Sequence, residues 1–155
     1  MNIKAGDKAP AFSLVDSDKN KVSLADFSGH NVILLFFPAA FTGVCTKELC
    51  QVRDEFSLYE GLDAKVLGIS VDGIFTLKKF KELNTYNFPL LSDFNKEASA
   101  AYGVLYSEWN FMKGVSKRST FVIDKAGIVR FAQILENAGD YPDFEGVKKT
   151  LQSLK

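Results

Sequence analysis

The chain has 155 residues, 46% of them apolar and 25% charged, which fits one domain able to bury roughly 70% of its extended-chain surface. Nineteen basic residues balance nineteen acidic ones and no basic block stands out, which argues against nucleic acid and anionic membrane as partners. Met1–Asp7 hold no apolar signal-peptide region, no apolar run is long enough to span a bilayer, and the chain has two cysteines. A single domain, 1–155, in a reducing, cytoplasmic compartment is therefore expected.

In chain order, Ala11–Val15 and Lys21–Leu24 flank the turn-rich Asp16-Ser17-Asp18-Lys19-Asn20 and read as an N-terminal hairpin. Ala25–Gly29 reads as a loop or a short turn of helix. The continuous apolar run Val32–Phe37 reads as a fully buried strand. An amphipathic helix follows, to about Tyr59: counting from Cys45, Leu49, Val52, Phe56 and Tyr59 fall within about 40° of it. Ala64–Val71 is a second buried strand, Ile74–Leu83 a helix, and Phe88–Leu91 a short extended segment. Asn95–Tyr102 reads as a small helix closed by Gly103, and Val104–Tyr106 as a brief strand. After a loop holding Trp109, Phe111 and Met112, strands at Ser119–Ile123 and Ile128–Leu135 meet through a turn ending in Gly127. Phe144–Leu154 is the last helix. The order gives an α/β domain with a mixed central sheet flanked by helices.

The stretch richest in chemistry is Pro38-Ala39-Ala40-Phe41-Thr42-Gly43-Val44-Cys45, between the first buried strand and the helix after it. Thr42 suits the N-cap, which puts Cys45 at the third helical position. Unpaired N–H groups and the positive end of the helix dipole favour a thiolate there. Cysteines in such places have pKa values of roughly 3.5–7.5, against about 8.5 when free. Gly43 leaves room for a small substrate, and Pro38 stops the strand. The bland alternative is a buried structural thiol, a common fate of free cysteine.

Pro-x-x-x-Thr-x-x-Cys, here Pro38, Thr42 and Cys45, resembles the active-site signature of the peroxiredoxins (the AhpC/TSA superfamily), and Glu48 also matches. The resemblance runs from Gly6–Phe12 to Ser119–Asp124 and the hairpin beyond. Phe36-Phe37-Pro38 and Phe88–Asp93 are similar to the alkyl hydroperoxide reductase E-like subgroup. The spacing of Cys45 and Cys50 is similar to the bacterioferritin comigratory protein subgroup. The resemblance implies a thioredoxin fold with an N-terminal β-hairpin extension. It also implies a thiol-dependent peroxidase that needs no cofactor and no metal, acting on peroxides with a thioredoxin-like or other thiol reductant, as a monomer or homodimer.

Arg118 immediately precedes a strand. If that strand runs antiparallel to Val32–Phe37, Arg118 meets the Cys45 turn, where it resembles the family's active-site arginine. A solvated surface arginine is the alternative, and Lys117 is a competing cation. The resemblance makes Glu48 a partner that orients an arginine; otherwise it is an ordinary exposed helix glutamate. Cys50 lies about 140° around the helix from Cys45, off the apolar stripe, with the two Cα atoms about 8.6 Å apart. A disulfide needs roughly 4.4–6.8 Å, so the first turns must unwind if Cys50 resolves oxidised Cys45. No cysteine follows Cys50, so resolution is intrachain or needs an external thiol. Phe41 and Trp109 suit an apolar collar, a dimer contact or plain packing.

His30, the only histidine, precedes the buried strand and lies about 20 Å from Cys45; it reads as a turn residue, not as the base of a cysteine protease. One histidine and two cysteines do not make a structural zinc site. A disulfide oxidoreductase would use Cys-x-x-Cys, which this pair does not match. A non-catalytic redox sensor would share the first oxidation but cycle slowly.

Overall fold

The computed structural model describes residues 3–155. Met1 and Asn2, which begin the stretch read as lacking a signal, lie outside the described residues. The strands are β1 Ser13–Asp16, β2 Lys21–Ser23, β3 Asn31–Phe36, β4 Ala64–Ser70, β5 Leu90–Ser92, β6 Ser119–Ile123 and β7 Val129–Ile134. The α-helices are α1 Gly43–Asp54, α2 Phe56–Gly61, α3 Ile74–Asn84, α4 Glu97–Ala101 and α5 Phe144–Ser153, and Leu24–Phe27 forms a short 3-10 helix after β2.

β3 organises the rest, because its six residues are all buried and nearly all apolar. A strand with no polar face must be covered on both sides and both edges. It pairs in parallel with β4 and antiparallel with β6, in a sheet ordered β2-β1-β5-β4-β3-β6-β7. Side chains alternate across the pleat. Ile33, Leu35 and Phe37 therefore join one core with Leu49 and Val52 of α1, Leu77 and Phe80 of α3, and Val147 and Leu151 of α5. Val32, Leu34 and Phe36 join the other, with Phe12, Leu67, Tyr102 and Phe121. Gly68 of β4 sits where a Cβ would stand 2.7 Å from Leu90 Cδ2, so a side chain there would force Leu90 to move within the packed core.

The N-terminal hairpin, the buried strands and the closing hairpin with Gly127 at φ +84° all form as expected. Three elements differ. The helix after β3 breaks at Glu55 (φ −99°, ψ 12°), whose carboxylate is held by Lys148 and by Gln51 Nε2 at 2.8 Å. Tyr59 still reaches the core, from α2. Helix α4 is shorter than expected, because Lys96 at φ +64° sets its start. Asp93 then accepts bonds from the N–H groups of Ala98 (3.1 Å) and Ser99 (2.7 Å). Val104–Tyr106 is not a strand: Leu105 makes one isolated bridge, to Ser116. Among the described residues, no helix is long and apolar enough to cross a membrane.

Candidate active site

The antiparallel register of β3 and β6 pairs Phe36 with Ser119. The residue before β6 therefore stands beside the end of β3, which is where the chain turns into α1. Arg118 occupies that position, with its side chain 1% exposed. Its Nη2 donates to Cys45 Sγ at 3.2 Å, its Nη1 to Glu48 Oε1 at 2.6 Å, and its Nε to the carbonyl of Ala138 at 2.9 Å. Each edge of the planar guanidinium fork thus has an assigned partner. Burial works against its charge, but Glu48 and Cys45 outweigh that and strengthen its hold on the proton. Lys117, the competing cation, points away and pairs with Glu136 at 2.8 Å.

The turn from Pro38 to Thr42 is fixed from below. Pro38 is buried, and the Ala40 N–H donates to Asp72 Oδ2 at 2.8 Å, which also accepts from Ser70 Oγ at 2.7 Å. Phe41 takes φ +68°, unusual for a bulky residue, and lays its half-exposed ring on Phe80 with centroids 5.0 Å apart. Thr42 is the N-cap residue, with extended backbone, and Cys45 is the third helical residue. The Thr42 hydroxyl does not cap the helix, however. It donates to the Ala39 carbonyl at 2.7 Å, which leaves its lone pairs free to accept. A Cβ on Gly43 would meet nothing within 4 Å, so close packing does not require a glycine there.

Cys45 is fully buried, as is Glu48, so Glu48 is not an exposed helix glutamate. Burial pushes the Glu48 carboxyl up to about 7 against the pull of Arg118. Its Oε2 has no hydrogen-bond partner among the described residues, so it is the oxygen with room for a proton. A cleft of about 190 Å³ opens above this cluster, lined by Thr42, Gly43, Val44, Trp109, Arg118 and Ala138 among others. Arg118 is in its lining and Cys45 is not. Half-buried Trp109 forms one wall and packs against Tyr106, Val115 and Ala138.

Cys50 is not part of this cluster. Helix α1 runs unbroken from Gly43 to Asp54, and both thiols are free. Cys50 Sγ lies 3.7 Å from Tyr86 Oη and 3.9 Å from Asn84 Oδ1. It is half-buried against the same core as Cys45, because the end of α3 and Tyr86 cover that flank of α1. Distance from the apolar stripe therefore did not mean exposure. His30 pairs with Asp63 at 2.9 Å on an exposed corner before β3. Ala138, Asp72 and Tyr106, whose hydroxyl lies 3.4 Å from the Arg118 N–H, were not singled out in the sequence. A backbone carbonyl and a strand-end aspartate carry no pattern that marks them.

The strand order, with the N-terminal hairpin at one edge, is that of a thioredoxin fold carrying an added hairpin. The AhpC/TSA family model matches residues 5–132. Alkyl hydroperoxide reductase E of Mycobacterium bovis is 42% identical over 135 residues, which cover 85% of this chain and 86% of that protein. The crystal structure of peroxidoxin BcpB from Mycobacterium tuberculosis superposes with a TM-score of 0.89 at 32% identity, covering 99% of each chain. A peroxiredoxin-like protein from Aquifex aeolicus gives 0.90 at 27% identity, over 100% of this chain and 90% of that one. The chain belongs to the AhpC/TSA family and is a peroxiredoxin, an oxidoreductase of the peroxidase class.

Proposed function

We propose that the chain reduces hydrogen peroxide and organic hydroperoxides through Cys45. The sulfur attacks one peroxide oxygen: an S–O bond forms, the O–O bond breaks, and the leaving oxygen departs as water or an alcohol once protonated. Cys45 becomes a sulfenic acid. Arg118 supplies the positive charge beside both the sulfur and the developing oxyanion. Thr42 accepts a hydrogen bond from the peroxide, the first-turn N–H groups donate to it, and Pro38 closes the floor of the turn without offering a competing donor. Glu48 orients Arg118. The observation that carries this proposal is the 3.2 Å contact of Arg118 Nη2 with Cys45 Sγ at a helix N-terminus.

Cys50 then attacks the sulfenic sulfur, forming the intrachain disulfide and releasing water, and a thioredoxin-like donor reduces it. A one-cysteine cycle with an external thiol is the second reading. The intact α1 favours it, since it keeps the two sulfurs on different flanks of the helix. Monomer and homodimer both suit the site, and a reducing, cytoplasmic setting suits the two thiols. The test is a donor-coupled peroxidase assay on wild type, Cys45→Ser and Cys50→Ser, with intact mass after one equivalent of peroxide. Steady turnover and loss of two hydrogens are expected in the wild type, no turnover in Cys45→Ser, and strongly slowed turnover in Cys50→Ser; full turnover in Cys50→Ser would favour the one-cysteine cycle. Full activity in Cys45→Ser would remove the peroxidatic role. A lasting sulfenic acid in the wild type would remove Cys50 from the cycle.

A further inference from the structure

Two tyrosine hydroxyls reach the short length of α1 between the cysteines. Tyr86 Oη, from the chain between α3 and β5, donates to the Thr46 carbonyl at 3.4 Å and lies 3.7 Å from Cys50 Sγ. Tyr141 Oη, from the loop before α5, donates to Gln51 Oε1 at 2.5 Å and lies 3.3 Å from the Lys47 carbonyl. In an intact helix these carbonyls also accept the N–H groups of Cys50 and Gln51, four residues on. Those are the hydrogen bonds that must open before the two sulfurs can meet. The rings are anchored elsewhere: Tyr86 is 4% exposed and stacks on Phe88 at 5.5 Å, and Tyr141 sits edge-on to Phe144 at 5.7 Å.

We propose that Tyr86 and Tyr141 together clamp this segment of α1 and set the rate at which it unwinds for disulfide formation. They are positioning residues acting through the helix backbone, and the proposal rests on Cys50 being the resolving thiol. The step they restrain is balanced without any further reactant. Cys50 sulfur bonds to Cys45 sulfur, the S–O bond of the sulfenic acid breaks, and the departing hydroxide leaves as water with the Cys50 proton. While the clamp holds, the sulfenic acid persists and remains open to a second peroxide, which would take it to a sulfinic acid.

The test uses the full chain as Tyr86→Phe and Tyr141→Phe, which keep the anchored rings and remove only the hydroxyls. One buried hydrogen bond corresponds to roughly a two- to ten-fold change in an opening equilibrium. After rapid peroxide addition and acid quench, disulfide formation should run about two- to ten-fold faster in each variant. The fraction reaching sulfinic acid at excess peroxide should fall. In the reduced protein, the amides of Cys50 and Gln51 should exchange with solvent faster by a similar factor, while those of α3 keep wild-type rates. The first oxidation of Cys45 should be unchanged in Tyr86→Phe. Unchanged or slower disulfide formation in both variants, with a wild type that does form the disulfide, would overturn the clamp alone. A wild type that forms none would overturn the clamp together with the resolving role of Cys50.

Discussion

Replacing Glu48 by glutamine tests the buried cluster without disturbing its shape. Glu48 is fully buried, and burial raises its carboxyl from the ordinary 4.5 to about 7 although Arg118 stands beside it. The folded state therefore holds that proton more tightly than the unfolded chain does. Its contribution to stability is fully present below pH 4.5 and is lost as pH rises to about 7. At about 1.4 kcal/mol per pH unit, that loss comes to about 3 kcal/mol. Glutamine keeps the oxygen that Arg118 Nη1 binds but cannot titrate. Groups that do not face Glu48 titrate alike in both proteins and cancel in the difference, and Arg118 and Tyr141, which do feel it, lose their protons only above this pH range. Urea unfolding at a series of pH values should show Glu48→Gln gaining on the wild type by about 3 kcal/mol between pH 4 and pH 8. With a urea dependence of about 1–3 kcal/mol per molar, the midpoints should separate by roughly 1–3 M over that range. A constant gap between the two proteins would mean that Glu48 titrates like a solvated carboxylate and that the buried cluster is wrongly drawn.

Arg118→Met removes all three donors to the cluster; the second-order rate of Cys45 oxidation should fall by about 10²–10³-fold, as for loss of an oxyanion donor, and stopped-flow fluorescence of Trp109 would follow it. Arg118→Lys should recover little, because an ammonium cannot span Cys45, Glu48 and Ala138 at once. Gly68→Ala should destabilise the fold by about 1–3 kcal/mol in chemical denaturation, since its methyl would overlap Leu90 inside a packed core.

The fold was legible where pattern and burial agree. The six-residue apolar run gave β3, and the glycine after the Asp124–Ala126 turn marked the closing hairpin. The meeting of Arg118 with Cys45 needed only the antiparallel pairing of two strands that are both buried. The break at Glu55 was hidden: the residue whose ammonium holds the Glu55 carboxylate comes from α5, almost a hundred residues away. The surroundings of Cys50 were hidden for a related reason. A helical wheel sorts residues around one axis and says nothing of what covers each flank, and here Asn84 and Tyr86 cover the side that lies off the apolar stripe. Glu48 was ambiguous because burial of a charge is decided by its partner, and the partner lies seventy positions along the chain.

Lys47 separates the two cysteines into different tryptic peptides, so peptide mass after a single equivalent of peroxide locates the oxidised sulfur. In the Cys50→Ser protein, one added oxygen should sit on the peptide that holds Cys45 and trap quantitatively with a sulfenic-acid reagent. A Cys45 peptide left unchanged while peroxide is consumed would contradict the account at its centre.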